Sequence, residues 1–314
     1  MKRRAERGFT LIELMVSLVL FSLAIAGVLS VAISMGRAYH EQRQVMATEQ
    51  GVRSAMDFMS DLIRGTSPAV ANGDIQDTKD CVTGVLTVTD STTGPDQVEV
   101  VAASGGVVTS LRTQYDAGNL GAITVTDAQN LAPGDTLIIT DGTKGAIVRA
   151  TAVNTGTAIV TLQAPGCAPT FPVSGGYPPG SLVIRAIRAK FRIGTFDGSP
   201  DVLLMDQDAD GVGEEPLAEN VEDMQIALGV DVNADKSITA PGEWAFSPGI
   251  GPLAGAIRAA RITLVVRSAD QLVGGAATFK RPAAENHPIA ATFDAFRRRV
   301  LKSTVEIRNL GGSP

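Results

Sequence analysis

Histidine, aromatic side chains and surplus positive charge are all scarce in this 314-residue chain. The two histidines, His40 and His287, stand at no metal-ligand spacing, which disfavours a histidine-built zinc centre. No Gly-x-Ser-x-Gly elbow and no phosphate loop occurs, so no catalytic constellation is visible and an enzyme is disfavoured. Lys and Arg number 27 against 33 Asp and Glu, a formal −6, and an acidic surface argues against nucleic acid as the main partner. The one basic triplet late in the chain, Arg297-Arg298-Arg299, reads as the exposed start of a strand. Proline is absent before Pro68, so nothing in that stretch breaks a helix. Elsewhere 33 glycines, 16 prolines and 4% aromatics suggest many turns and short strands. Low-complexity tracts and fixed-period repeats are also missing.

Long apolar runs are lacking too, with one exception. Residues 9–35 hold 27 positions with a single charged side chain, Glu13; the other polar groups are small hydroxyls. A bilayer core needs about 20 apolar residues as helix, so this run can span it. Lys2, Arg3, Arg4 and Arg7 precede it and favour a cytoplasmic amino terminus. A secretory signal peptide with Ala24-Ile25-Ala26 as cleavage site fits poorly, because the apolar run continues to Met35. An ordinary anchor leaves Glu13 unexplained, since an intramembrane carboxylate costs about 2.5–3.5 kcal/mol. Both cysteines, Cys81 and Cys167, lie beyond the run and hence on the exported side, where a disulfide can persist. A bridge between them would close about 86 residues, roughly 4–5 kcal/mol in the chain-entropy model.

The order Gly8-Phe9-Thr10-Leu11-Ile12-Glu13, between a basic leader and a spanning run, resembles the processing site of type IV prepilins. The resemblance implies that a prepilin peptidase cuts between Gly8 and Phe9 and that Phe9 becomes the N-methylated first residue. It further implies that Glu13 pairs with the terminal amine of a neighbouring subunit, neutralising both charges where water is scarce. Major pilins generally carry a proline midway through this helix; here Gly27 and Ser30 are the soft spots. Losing residues 1–8 would leave 23 Lys and Arg against 32 Asp and Glu, a formal −9.

Beyond the run, Val45, Val52, Met56, Met59 and Ile63 recur at helical spacing, with charges mostly elsewhere. One helix over residues 9–64 is therefore expected, ending at Gly65 and Ser67-Pro68. From residue 85 the pattern switches to period two, with strands expected at 85–89, 98–101, 122–126, 136–140, 146–151 and 158–162. Gly94-Pro95, Gly105-Gly106, Pro133-Gly134-Asp135, Asp141-Gly142 and Asn154-Thr155-Gly156 are read as the turns between them. After a Gly/Pro-rich link at 165–180, further strands are expected at 182–187, 189–193, 202–205, 221–230, 261–267 and 299–308.

Residues 217–225, the strand at 261–268 and the closing segment from Arg297 to Leu310 resemble the PilW family of minor pilins, loosely but over much of the chain. The fold class that follows is α+β and pilin-like: a long N-terminal helix packed on an antiparallel sheet, with a β-rich, barrel- or sandwich-like insertion. The expected organisation is a leader at 1–8, a spanning half-helix at 9–35, an amphipathic half at 36–64, the insertion at 81–167 and the pilin sheet at 182–310. The resemblance implies a minor pilin, made in the inner membrane with its amino terminus cytoplasmic and then incorporated in a pilus at the cell surface. There it would prime assembly or help form the tip, with roles in adhesion and twitching motility. Its partners would be other minor pilins, the major pilin, prepilin peptidase and a large tip adhesin. A type II secretion pseudopilin is the alternative within the class; a tip adhesin or DNA-uptake module is the alternative outside it.

Two acidic loops offer oxygen ligands for calcium. Asp206, Asp208 and Asp210 alternate and precede Gly211, as in the first half of an EF-hand loop, with Glu214 or Glu215 to close the site. Asp231, Asn233 and Asp235 alternate likewise, with Ile238 at position eight, but Lys236 replaces the glycine and Glu243 falls one residue late. The first loop fits the pattern better. Trp244, beside the second, is expected to be local core.

Overall fold

The computed structural model describes residues 11–66, 75–78, 84–116, 118–166, 175–209, 211–235, 237–246, 257–271 and 277–307. The fold is α+β, an N-terminal helix followed by antiparallel strands. Chain contacts divide it into two units, Met1–Ala47 and Thr48–Pro314.

The helix, α1, covers Leu11–Arg64, 54 residues without a proline. In the first unit its side chains from Leu11 to Gly36 are all exposed, at a mean hydropathy of 2.6. The hydroxyls of Ser17, Ser22 and Ser34 donate back to the carbonyls of Leu14, Val19 and Val31, 2.8–2.9 Å away. An apolar medium therefore meets few unsatisfied polar groups along this stretch. In the second unit the helix ends where Gly65 N–H donates to the Asp61 and Leu62 carbonyls and Thr66 Oγ1 donates to Ile63 O. Arg64 pairs with Asp61 one turn back and sits favourably at the negative end of the helix dipole.

Strands β1 (Ile75–Asp77), β2 (Leu86–Thr89), β3 (Gln97–Ser110), β4 (Ala122–Thr124), β5 (Thr136–Thr140), β6 (Gly145–Asn154), β7 (Ile159–Leu162), β8 (Leu182–Phe196), β9 (Ser199–Asp206) and β10 (Glu215–Ala218) form one ten-stranded sheet. Its path runs β10-β9-β8-β5-β6-β7-β4, with β3 also on β8, β2 on β3 and a short parallel pair between β1 and β6. A second sheet of four strands contains β11 (Val221–Val230), β12 (Trp244–Ala245), β13 (Ile257–Arg267) and β14 (Arg298–Glu306), in the order β12-β11-β13-β14.

The helical stripe at Val52, Met56, Met59 and Ile63 is buried as its spacing predicts, with Ala55 beside it; the side chain of Val45 lies outside the described residues. These residues share one core with Val98, Val100 and Phe191 of the first sheet and Ile226, Ile262 and Leu264 of the second. Full burial of each large side chain is worth about 1.5–3 kcal/mol. The strand-rich segment has a separate core, built on Leu111, Tyr115, Ile123, Leu137, Val148, Val160, Tyr177 and Val183.

Three expectations need correcting. Gly105-Gly106 is not a turn: both lie inside β3, where pairing jumps from Ala103↔Ala186 to Val107↔Ile184. The glycines supply the extra residues of a bulge, and Gly105 takes a φ of +121° that only glycine adopts freely. The segments at 182–187 and 189–193 form one strand, β8, and it joins the strands of the insertion rather than those after residue 220. Of the arginine triplet, Arg298 has a side chain only 5% exposed, gripped by Glu222 and Asp294, while Arg299 pairs with Glu49 of the helix.

Candidate functional site

The most unusual local chemistry is at the start of the helix. Gly8 and Phe9 lie outside the described residues. Glu13 is the acidic residue of the first described turn of α1. Its neighbours Ile12, Val16 and Leu20 are exposed apolar side chains. A carboxylate in such a setting is stable beside a cation or at a polar boundary, not in bare hydrocarbon.

Of the two acidic loops, the first spends its carboxylates on the fold. Asp206 Oδ1 accepts the N–H groups of Asp208 and Ala209, and its Oδ2 accepts Gly211 N–H at 2.7 Å. Asp208 pairs with Arg149 at 3.0 Å, and Glu214 takes both guanidinium branches of Arg192. Asp210 lies outside the described residues. Asp206, Asp208 and Glu214 are thus each engaged by a separate partner, and nothing described gathers the three around one point.

The second loop does gather its acids. One carboxylate oxygen each from Asp231, Asp235 and Glu243 lie within 4.8 Å of one another, the only such trio among the described residues. Asp231 directly follows β11 and Glu243 ends a short 3-10 turn at Pro241–Glu243. Asp235 N–H donates to Asp231 Oδ1 and to Asn233 Oδ1, at 3.1 and 3.0 Å. Ser237 donates its hydroxyl and N–H to Asp235 Oδ1, both at 2.8 Å, and these bonds hold the Asp235 carboxyl below its usual range. Ile238 packs on Gly229 of β11: a methyl at Gly229 would lie 3.0 Å from the Ile238 side chain. Trp244 carries Arg261 over its ring at 4.0 Å and pairs with Gly229 through β12. Sequence spacing named Asp231, Asn233 and Asp235; Glu243 enters because the 3-10 turn brings it back to the loop.

Two buried ionic clusters escaped the sequence reading. Asp223 is completely buried, with Arg281 at 2.8 Å and His287 Nδ1 at 2.7 Å from the same oxygen. Glu285 meets Arg261, Thr263 and Lys302; burial pushes its carboxyl up, but these donors hold it below the usual range. The partners are tens of residues apart, so no local pattern could announce them. In both clusters the carboxylate is met by a guanidinium and by further hydrogen-bonding side chains, as expected of structural pairs. Cys81 and Cys167, the expected disulfide, lie outside the described residues.

Comparison with known families gives two matches. Residues 190–309 match the model described as type IV pilus-assembly protein W, PilW. Residues 3–29 match the prokaryotic N-terminal methylation motif, which covers Gly8, Phe9 and Glu13. No match was found among curated proteins or among solved structures.

Proposed function

Taking as premise that the chain is a PilW-like, pilin-like type IV pilus protein, we propose that it acts as a minor pilin of the pilus tip. In this reading prepilin peptidase removes residues 1–8 and methylates Phe9, and the apolar half-helix holds the protein in the inner membrane until assembly. In the filament the same half-helix packs against the helices of other pilins. The observation that carries the reading is Glu13 within a 26-residue stretch, Leu11–Gly36, that is apolar enough to span a membrane and buried nowhere. A terminal amine of the neighbouring protomer, brought beside Glu13, would neutralise it without exposing either charge to hydrocarbon.

The tip assignment rests on bulk. Among the described residues the second unit, Thr48–Pro314, carries fourteen strands and two cores, a large load for a subunit stacked densely along a filament. At a tip the load has no neighbour above it. Priming of assembly follows if the tip complex forms first.

Mass spectrometry of the mature chain should find an N-methylated Phe9 as first residue. Glu13→Leu should leave processing and membrane anchoring intact and lower recovery in sheared pili at least about tenfold, the effect of roughly 1.4 kcal/mol or more. Normal incorporation of that variant would overturn the pairing role. Labelled protein spread evenly along filaments, in amounts matching the main subunit, would overturn the tip assignment.

A further inference from the structure

We propose that the loop from Asp231 to Glu243 binds a calcium ion through the carboxylates of Asp231, Asp235 and Glu243, with Asn233 as a neutral fourth ligand. Acidic residues in a turn are common, and three of them alone would mean little. Two features set this loop apart from a solvated turn.

First, Asp231 and Glu243 are only 6% and 2% exposed, so two of the three negative charges are withdrawn from water. Arg258 Nε donates to Asp231 Oδ2 at 3.2 Å. Second, Glu243 is half-satisfied. Its Oε2 accepts the N–H groups of Thr239 and Ala240, both at 2.8 Å, while its Oε1 is buried with no hydrogen-bond partner. An unpartnered carboxylate oxygen, out of water and beside two other carboxylates, is a position that a cation completes.

The donor chemistry selects the kind of ion. All candidate ligands are oxygens, which suit hard cations and not zinc or copper. Oxygens sharing one calcium, at about 2.3–2.6 Å each, stand no more than about 5 Å apart, and the 4.8 Å limit on this trio fits that sphere. Magnesium demands near-ideal octahedral geometry at about 2.0–2.1 Å and keeps several of its waters, so a site of several protein oxygens suits it less. Asn233 Nδ2 touches Asp235 Oδ2 at 3.0 Å, so its amide is already at the rim of the trio. The ligands come from the end of β11 and from the turn before β12, and a bound ion would clamp the loop to the sheet. Ile238 on Gly229 fixes the middle of the loop from the other side.

The test uses the full chain in detergent micelles, titrated with calcium or magnesium from a chelated start. Trp244, the one tryptophan, adjoins Glu243 and reports on the loop by its emission. The expected result is a saturable change in emission at roughly 0.1–1 mM calcium, the range of extracellular modules. With it, 10 mM calcium should raise the melting temperature by at least about 3 °C. Glu243→Gln keeps an oxygen for the two N–H groups and removes the buried charge. It should abolish the calcium response while melting no lower than the parent chain in chelator. Asp235→Asn, at an exposed position, should weaken the response at least about tenfold and supplies the answer if the first variant does not fold. No calcium-dependent change in emission or melting would overturn the proposal, as would an equal response to magnesium. A response that survives both variants but is lost in Asp208→Asn would also overturn it, placing the ion in the other acidic loop. None of these readouts depends on filament assembly, so they stand or fall apart from the tip role.

Discussion

Lowering the pH from 7 to 4 tests the joint between the two sheets at one carboxyl, Asp96. Its Oδ2 accepts the N–H of Ile226 and its Oδ1 that of Ser91, both at 2.8 Å, while its own N–H donates to Met224 O at 2.7 Å. Asp96 thus serves the part of β11 that the two-residue β12 leaves without a strand neighbour. The group is fully buried, and that burial, with the charges of Asp90 and Asp223 nearby, pushes its pKa from 3.8 to about 6 against the two N–H bonds. The folded chain therefore takes up a proton near pH 6 and the unfolded chain only near 3.8, so stability rises as the pH falls between those values and levels off below. Each pH unit of separation is worth about 1.4 kcal/mol, which gives a ceiling of ~3 kcal/mol. Asp141, Glu285 and Asp294 have folded values held low, so their contributions are lost only as the pH falls below the carboxylate range, and equally in any Asp96 variant. Thermal melts of the chain and of Asp96→Asn in chelator, at pH 7, 6, 5 and 4, isolate the effect. The parent's melting temperature minus the variant's should climb by several degrees toward pH 4. A constant or falling difference would refute the reasoning, whatever the absolute stability of the variant.

Two further substitutions probe the core and the buried charges. Met59, at 0% exposure on the helix face shared with both sheets, should cost about 2–5 kcal/mol on Met59→Ala in a urea titration, and a loss below about 1 kcal/mol would mean the helix is not locked into that core. Arg281→Met strands the buried Asp223 beside His287 and should destabilise by about 3–5 kcal/mol, whereas adding Asp223→Asn should recover most of the loss; equal instability of single and double variants would deny the pairing.

What could be read from the sequence follows from where each determinant lies. The strands expected at 136–140 and 221–230 match β5 and β11 to the residue, because apolar-rich segments and the turns that flank them are local signals. The helix was equally legible, since an unbroken proline-free stretch with a 3.6-residue stripe has few other ways to bury it. Sheet membership was not. Leu182–Phe196 carries no mark of its partners, and its pairing with β3, β5 and β9 is decided by strands up to tens of residues away. The glycine pair in β3 misled for a related reason: glycine signals backbone freedom, and only the partner strand decides whether that freedom becomes a turn or a bulge.

The same division separates the two kinds of candidate site. Glu13 is conspicuous in one dimension, a single charge in 27 residues, so a motif exposes it before any fold is known. The acidic loops differ in spacing along the chain, but what meets their carboxylates is set in three dimensions. The loop with the better spacing has Arg149 and Arg192 waiting 59 and 22 residues away, and they claim Asp208 and Glu214. In the loop with the poorer spacing Arg258 meets Asp231, and a 3-10 turn brings Glu243, thirteenth in order, within 4.8 Å of Asp231 and Asp235. A ligand count made along the chain cannot register counter-charges that arrive from elsewhere in the sheet, and those counter-charges decide how much negative charge a loop is left to balance.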